Sequence, residues 1–508
     1  MRRDFWQTDP GNKRGMMKDN SVIKPIIAMI IAALFFAFIF DLSKETLYTP
    51  AYPALVICIV ITLIVFRKNF PNTAVFYAMM AGMLVRLSYV IYTPVWCRQH
   101  DVIDFGAGEG HAAYMEYILS HKALPDFDPT SVWAFFQPPL HHAISAVWMW
   151  YNIRMGADVE RMHKNVQILP MMYMAVTVFV VYLICKEIGI RRNGTIIVML
   201  VSSLHPMFIL MSGSINNDAL SAMLTVLSIY VAIKWYMYPT TGKIIALAIS
   251  IGLAMSAKFS SAMVAIPIAF LMIYKMFTDT GSLKVKSKVI SYILELIPFA
   301  LIVFPLGLWW PVRNKILFNV DPGYIPGVGE DVSRVAMSAR LFDVRTASPF
   351  LYMKSNGFEY DEYNLFLATI KSVLFDEGKF ANISPVLTAI GWMLYFAAIV
   401  ILILQIIAMV TIIADKEAGP DKGIKLFLVI SVITFIAAYV VFAVDKASLS
   451  AMNFRYSAAC IPVLAIFSGI RADRLRATGG TIRAQAILII SLLFAVLSAT
   501  FYILLGLL

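Results

Sequence analysis

The stretch 138–152, PPLHHAISAVWMWYN, is apolar enough to pass for a membrane crossing, and its reading sets the path of the whole chain. It is shorter than the ~20 residues a helix needs to cross a hydrocarbon layer about 30 Å thick. Two prolines open it, where missing N–H groups cost little at a helix start. Its Trp and Tyr residues suit a helix lying in the membrane interface. Counted as a crossing, it would throw the basic KEIGIRR (186–192) onto the outer face. Counted as interfacial, it leaves every short basic loop on one side.

Spans are then expected at about 22–41, 51–66, 73–93, 165–185, 194–212, 218–237, 243–257, 260–277, 289–310, 385–413, 424–444, 455–471 and 484–506. With the N-terminus inside, the inner loops carry Arg67 and Lys68, then Lys186, Arg191 and Arg192, then Lys284, Lys286 and Lys288. Lys416, Lys422 and Lys425 follow, and last Arg471, Arg474, Arg476 and Arg483. This is the positive-inside pattern, and it accounts for the net charge of +11 without a nucleic-acid partner. The composition agrees: 60% of the 508 residues are hydrophobic and 14% charged, against about 25% charged in soluble domains. Four scattered cysteines with no CxxC argue against a disulfide framework or a structural zinc site. The basic N-terminus before an apolar run reads as an uncleaved first helix. Arg86, inside the third span, needs a partner or water.

Two long segments, about 94–164 and 311–384, fall on the outer face together with the short turn around MSGSINNDAL (211–220). The acids gather there. RQHDVIDFGAGEGHAAYMEYI (98–118) holds His100, Asp101, Asp104, Glu109, His111 and Glu116. A carboxylate beside the membrane, partly desolvated, is suited to take a proton from a hydroxyl nucleophile. The plainer reading is a solvated loop, against which stand Gly106, Gly108 and Gly110, which permit close backbone approach. A divalent ion on Asp and Glu oxygens is an open alternative, although no HxxxH or HExxH is present. In FFQPPLHH (135–142), His141 and His142 point different ways on a helix, so at most one faces a site. Asp218 is either the N-cap of the next span or, with Asn217, a ligand contact. Outer cations able to hold a lipid phosphate are Lys258, Arg313, Lys446 and Arg455.

Together these motifs resemble the GT-C glycosyltransferase superfamily, in the branch of the protein O-mannosyltransferases and aminoarabinose transferases. QPPLHH is similar to that branch's HPPL motif, with Gln137 where His is usual. GHAAYMEYILSHKALP (110–125), MSGSINNDAL, KSVLFDEGKF (371–380) and NFRY (453–456) resemble further family stretches. The likeness covers about 75–470. The family's adjacent Asp-Glu pair is missing from the first loop, which reads HDVIDF, so Asp101 is the match for the catalytic aspartate, with Glu109 and then Asp104 as competitors.

The resemblance implies an all-α polytopic membrane protein, a GT-C-type bundle of about 13 transmembrane helices with interfacial helices and two larger outer loops. An N-terminal extension (1–72) with two helices would precede a catalytic module (73–471) and a C-terminal helix (472–508). The implied activity is inverting transfer of a monosaccharide from a polyprenyl-phosphate carrier to an acceptor hydroxyl, on protein, lipid or glycan. Asp101 would be the base; Asp104, Glu109, His111, Gln137, His141, His142, Asn217 and Asp218 are the alternatives or the sugar and acceptor contacts. Lys258, Arg313 and Arg455 would hold the donor phosphate. No cofactor is required by this scheme. The protein is expected in a bacterial plasma membrane with its N-terminus cytoplasmic and its site extracytoplasmic. The rival reading is a transporter or flippase of lipid-linked sugar, which calls for ionisable groups near the bilayer midplane and repeat symmetry.

Overall fold

The computed structural model describes residues 73–278, 285–326, 335–351, 362–377, 383–445 and 450–506. The first two expected spans and Lys446 lie outside these residues. Among the described residues every regular element is helical: α1 (Thr73–Tyr92), α2 (Gly110–His121), α3 (Leu140–Arg154), α4 (Val159–Asn165), α5 (Ile168–Glu187), α6 (Arg192–Ser203), α7 (Pro206–Met211), α8 (Asp218–Met237) and α9 (Thr241–Ala257). There follow α10 (Ala265–Thr278), α11 (Val285–Phe318), α12 (Met337–Phe342), α13 (Leu365–Phe375), α14 (Pro385–Ala414), α15 (Lys422–Asp445), α16 (Cys460–Ala477) and α17 (Thr481–Leu504).

Eight helical stretches among the described residues are long and apolar enough to cross a membrane, so the chain is an integral, multi-pass membrane protein. They include α1, α8, α14, α15 and α17, each within a few residues of its expected span. α3 is not one of them; at 1.5 Å per residue it reaches about 22 Å, short of a hydrocarbon layer of about 30 Å. The expected span 194–212 is broken into α6 and α7. His205 is extended before Pro206, and its Nδ1 accepts from the Met207 N–H at 3.3 Å, capping a new helix where proline ends the old one. Conversely, the span expected at 289–310 runs on to Phe318, with Pro298, Pro305 and Pro311 inside the helix.

Close helix crossings need small residues. A Cβ on Gly194 of α6 would stand 2.5 Å from the Gly469 carbonyl of α16, and one on Gly469 would stand 2.6 Å from the Val198 side chain. Arg86 finds its partner in the same core: Nη1 donates to the Ser203 carbonyl at 2.5 Å. α17 packs into that core through Phe494, Phe501 and Tyr502, with Tyr502 donating to the Leu374 carbonyl at the end of α13. At the opposite, basic end, Arg474 pairs with Asp415 at 2.7 Å, and Asp473 accepts from the Arg191 and Gly194 N–H groups at 2.6 and 3.1 Å.

Candidate active site

The first loop is fixed by the start of α2. A helix leaves its first N–H groups without partners, and here loop carbonyls take them. His111 N donates to the Asp101 carbonyl at 2.8 Å, Ala112 N to Val102 at 3.1 Å, and Gly110 N to Trp133 at 3.0 Å. Gly110 has φ +85, and a Cβ there would lie 2.3 Å from the Val102 carbonyl oxygen. Only glycine lets the loop lie this close. Asp101 itself is left-handed, at φ +56. Gln99 ties the loop to the turn before α8, donating to the Gly213 carbonyl at 2.8 Å and accepting from Ile215 N at 2.9 Å.

That turn delivers Asp218 at the first position of α8. The N-cap is Asn217, with no side-chain capping bond, so the capping role weighed for Asp218 falls away. Asp218 instead accepts from Lys258 Nζ on Oδ1 and from Arg455 Nε on Oδ2, the latter at 2.9 Å. Asn217 Nδ2 donates to the Ala257 carbonyl at 2.8 Å and to Gln137 Oε1 at 3.3 Å.

Arg455 is the hub. Besides Asp218, its Nη2 stands 3.6 Å from Asp101 Oδ2 and its Nη1 stands 3.6 Å from Glu377 Oε1. Nη2 also donates to the Tyr456 hydroxyl at 2.8 Å. The Tyr456 ring lies between the two cations, 4.6 Å from the Arg455 guanidinium carbon and 4.5 Å from Lys258 Nζ. Asp376 and Glu377, following α13, complete the group. His100 Nε2 is 2.6 Å from Asp376 and its Nδ1 is 3.6 Å from Glu377, while Asn453 Nδ2 donates to them at 2.5 and 2.9 Å.

Burial and Arg455 oppose charge on His100, yet the two acids prevail and raise its pKa. Burial alone would raise Asp376, but His100, Arg455 and Asn453 hold it below the usual range. In Glu377, burial and the Asp376 charge prevail and push the pKa up. These three residues bring possible ligand atoms within 4.8 Å of one another. Among the described residues the His100 imidazole, the Asn453 amide and the Arg455 guanidinium lie against the two carboxylates.

A cavity of about 580 Å³ opens over this cluster. Asp101, Gln137, Lys258 and Tyr456 face it, and Trp133, Phe136, Trp310, Tyr324 and Phe442 supply aromatic walls. The side chain of Asp101 is 43% exposed, whereas those of Asp218 and Glu377 are 5% and 8%. Asp101 is therefore the acid of the cluster that is open to the cavity.

The other expected residues are placed differently. Asp104 and Glu109 are exposed and join neither the cluster's ion pairs nor the cavity wall. His141 and His142 are both fully buried, and neither lines the cavity. His141 Nε2 is 2.8 Å from the Ile215 carbonyl, and His142 Nε2 is 2.7 Å from His111 Nδ1 in a stack continued by Tyr114 and Phe135. Burial lowers His111 and His141 to about 4 and depresses His142 as well, so all three are neutral at pH 7. Arg313 is committed to the Pro125 carbonyl and to Asn314 Oδ1, over the Trp310 ring. Sequence reasoning passed over Asp376, Glu377, Asn453 and Tyr456 as site residues. The visible signal was an adjacent Asp-Glu pair in a stretch already marked as family-like.

Residues 148–319 match the family model of dolichyl-phosphate-mannose-protein mannosyltransferases, within the region that the motifs delimit. No curated protein sequence matches the chain. Among solved structures, an archaeal oligosaccharyltransferase, AglB from Archaeoglobus fulgidus in complex with an inhibitory peptide and a dolichol-phosphate, is 13% identical with a TM-score of 0.49. The alignment covers 87% of this chain and 56% of that one, so the chain spans little more than half of that relative. ArnT from Cupriavidus metallidurans bound to undecaprenyl phosphate is 16% identical with a TM-score of 0.45, covering 81% of this chain and 63% of that one. Its apo form is 12% identical at a TM-score of 0.48, covering 85% and 76%.

Proposed function

We propose that the chain is a membrane glycosyltransferase that moves a monosaccharide from a polyprenyl-phosphate carrier to an acceptor hydroxyl. The observation that carries this reading is the pairing, across one cavity, of an exposed carboxylate, Asp101, with Lys258 and the Arg455 guanidinium behind it. The family match over 148–319 supports the same substrate class. The long segments and the cavity face the extracytoplasmic side in this reading, with the N-terminus cytoplasmic, as the basic loops require, and the membrane is a bacterial plasma membrane.

In this mechanism Asp101 accepts the proton of the acceptor hydroxyl. The hydroxyl oxygen attacks the sugar C1 as the C1–O bond to the lipid phosphate breaks, so the configuration at C1 inverts. The phosphate leaves with the bonding pair. Lys258 and Arg455 stabilise its charge where low dielectric makes them most effective. Aromatic walls suit the faces of a pyranose, and Gln137, held by Asn217, offers an amide to its hydroxyls. His111, neutral and buried against His142, takes no proton.

The test is release of free polyprenyl phosphate by purified protein given polyprenyl-phosphate mannose or glucose, beside an Asp101→Asn variant. Release that falls at least ~10²-fold in the variant, with its melting temperature unchanged, is expected. Near-normal turnover in the variant would sink the assignment of the base. Failure on a broad donor panel, with lipid-linked sugar moved across vesicles instead, would favour the transporter.

A further inference from the structure

The cavity has two poles. At one, Lys258 is the single cation among the described residues of the wall, with Asp101, Gln137 and Tyr456 around it. The other pole belongs to the end of α11. Trp310 is fixed there by its indole N–H, which donates to the Phe136 carbonyl at 3.0 Å. Asn314 stands one turn further along the helix, about 6 Å on, and also lines the cavity. Its side chain is buried, and its Oδ1 accepts from Arg313 Nη1 at 3.0 Å. That contact fixes which way round the amide sits. Nδ2 is left on the cavity wall and donates to no group among the described residues. A buried donor without a partner is costly, so an amide held this way marks a place where a ligand supplies the acceptor. The Asn314 carbonyl accepts from Val320 N at 3.2 Å, folding the next segment back. Tyr324 thereby comes against Phe136, with ring centroids 5.7 Å apart at 80°. The one charge at this pole, Asp321, is met by Lys315 at 2.7 Å.

We infer that the α11 end of the cavity is the acceptor subsite, that the acceptor is a saccharide, and that Asn314 is its specificity-determining residue. The acceptor role rests on the transfer proposed above. An inverting displacement brings the acceptor oxygen to C1 from the face opposite the leaving group. With the phosphate at the Lys258 pole, the acceptor stands toward the wall that carries no unpaired charge. The glycosidic O–C1 bond forms there as the C1–O bond to phosphate breaks; the electron pair leaves with the phosphate and the hydroxyl proton passes to Asp101. This wall suits a neutral sugar ring. The C–H-bearing faces of the ring lie against aromatic rings, whose own faces carry partial negative charge, and a sugar oxygen accepts from Asn314 Nδ2. A peptide is served less well. Its main chain presents a donor and an acceptor at nearly every residue, which an extended peptide satisfies on a free strand edge, and there is no strand among the described residues. One amide does not meet that demand. At about 580 Å³ the cavity also has the size of a site for a compact small molecule, roughly 300–1,000 Å³.

The test uses the full-length protein in a detergent that has no sugar headgroup. The probes are neutral trisaccharides of mannose, glucose and galactose, alkyl glycosides of the same sugars, and a short threonine-containing peptide. Binding is read without donor, as the change in tryptophan fluorescence, since Trp133 and Trp310 line the cavity. At least one sugar probe is expected to saturate the signal, and Asn314→Leu to weaken its binding about 10-fold. In the transfer assay the same variant should raise KM for the saccharide about 10-fold and that for the donor far less. Equal binding of trisaccharide and glycoside identifies a free glycan, and tighter binding of the glycoside identifies the headgroup of a glycolipid; both support the inference. Tyr324→Ala, at an exposed residue, decides the matter if Asn314→Leu does not fold. Three results overturn the inference: no response to any sugar probe, polyprenyl phosphate release stimulated by the peptide alone, or sugar binding that neither substitution changes. Sugar binding that the substitutions weaken, with no transfer from any donor, overturns the proposed function instead and leaves the binding subsite standing.

Discussion

Gly110→Ala isolates what the loop geometry contributes to the transfer proposed above. The new Cβ would meet the Val102 carbonyl oxygen at 2.3 Å, the Val102 carbonyl carbon at 2.8 Å and the Asp101 carbonyl oxygen at 2.9 Å, all of them backbone. Restoring ordinary contact at 3.4 Å means moving residues 101–102 away from α2 by about 1 Å. That move stretches the bonds from His111 N and Ala112 N, each worth about 1 kcal/mol. Forcing a side chain to φ +85 adds about 1–2 kcal/mol. The sum is a destabilisation of about 3 kcal/mol, and a 1 Å displacement of a base costs about 10²-fold in rate. Gly108→Ala is the control. It has φ +83 but nothing within 4 Å, so it carries the conformational cost without the collision. Turnover at saturating donor, read as polyprenyl phosphate released, should fall about 10²-fold in Gly110→Ala and stay within a few-fold of wild type in Gly108→Ala. Equal turnover in the two variants would refute the claim that the α2 junction positions Asp101.

Two further outcomes are expected. His111 and His141 titrate at about 4 when folded and near 6.5 when unfolded, so the unfolded chain binds protons first as pH falls. Their stabilisation is complete above pH 6.5 and declines toward pH 4, by about 2 kcal/mol for each at pH 5. The melting temperature in detergent should drop between pH 7.5 and 5, and a His111→Asn, His141→Asn double variant should show a shallower drop. Lys371→Met takes the ammonium from the buried Glu362, 3.1 Å away, and should destabilise by about 3–5 kcal/mol. Because α13 leads directly into Asp376 and Glu377, transfer should fall with it, and Glu362→Gln in the same chain should restore part of both.

The crossings were legible because lipid imposes a composition on them. α1, α8, α14, α15 and α17 fall where apolar length and basic flanks put them. The break at His205–Pro206 was written in the proline, yet the apolar residues on both sides masked it. Asp101 and Asp218 stood out as acids at the mouths of spans, a local signal. Glu109 competed on closeness in sequence to GHAAY, but the turn through Gly110 leaves it on the solvent side. The late acids needed information that no local pattern carries. Asp376 meets His100 only because α13 is buried and pinned by Tyr502 from the last helix. The two histidines after Pro139 do point in different directions, as helical geometry demands. Both directions are covered by protein, which the period of one helix cannot reveal.

The length of α11 has a kinetic consequence. The helix carries Trp310 and Asn314 to the cavity wall, yet only 17% of its most apolar stretch is buried in protein. Its outward side chains, among them Leu301, Phe304 and Val312, are exposed, so in a membrane one wall of the cavity would be shared with the bilayer. A substrate anchored by a prenyl tail then approaches within a plane, by lateral diffusion. On the function proposed above, what would saturate the protein is the mole fraction of donor in the surface, not its amount per litre: adding inert detergent or lipid at constant donor should slow turnover by surface dilution, while diluting the whole mixture with buffer should leave the turnover of each molecule unchanged.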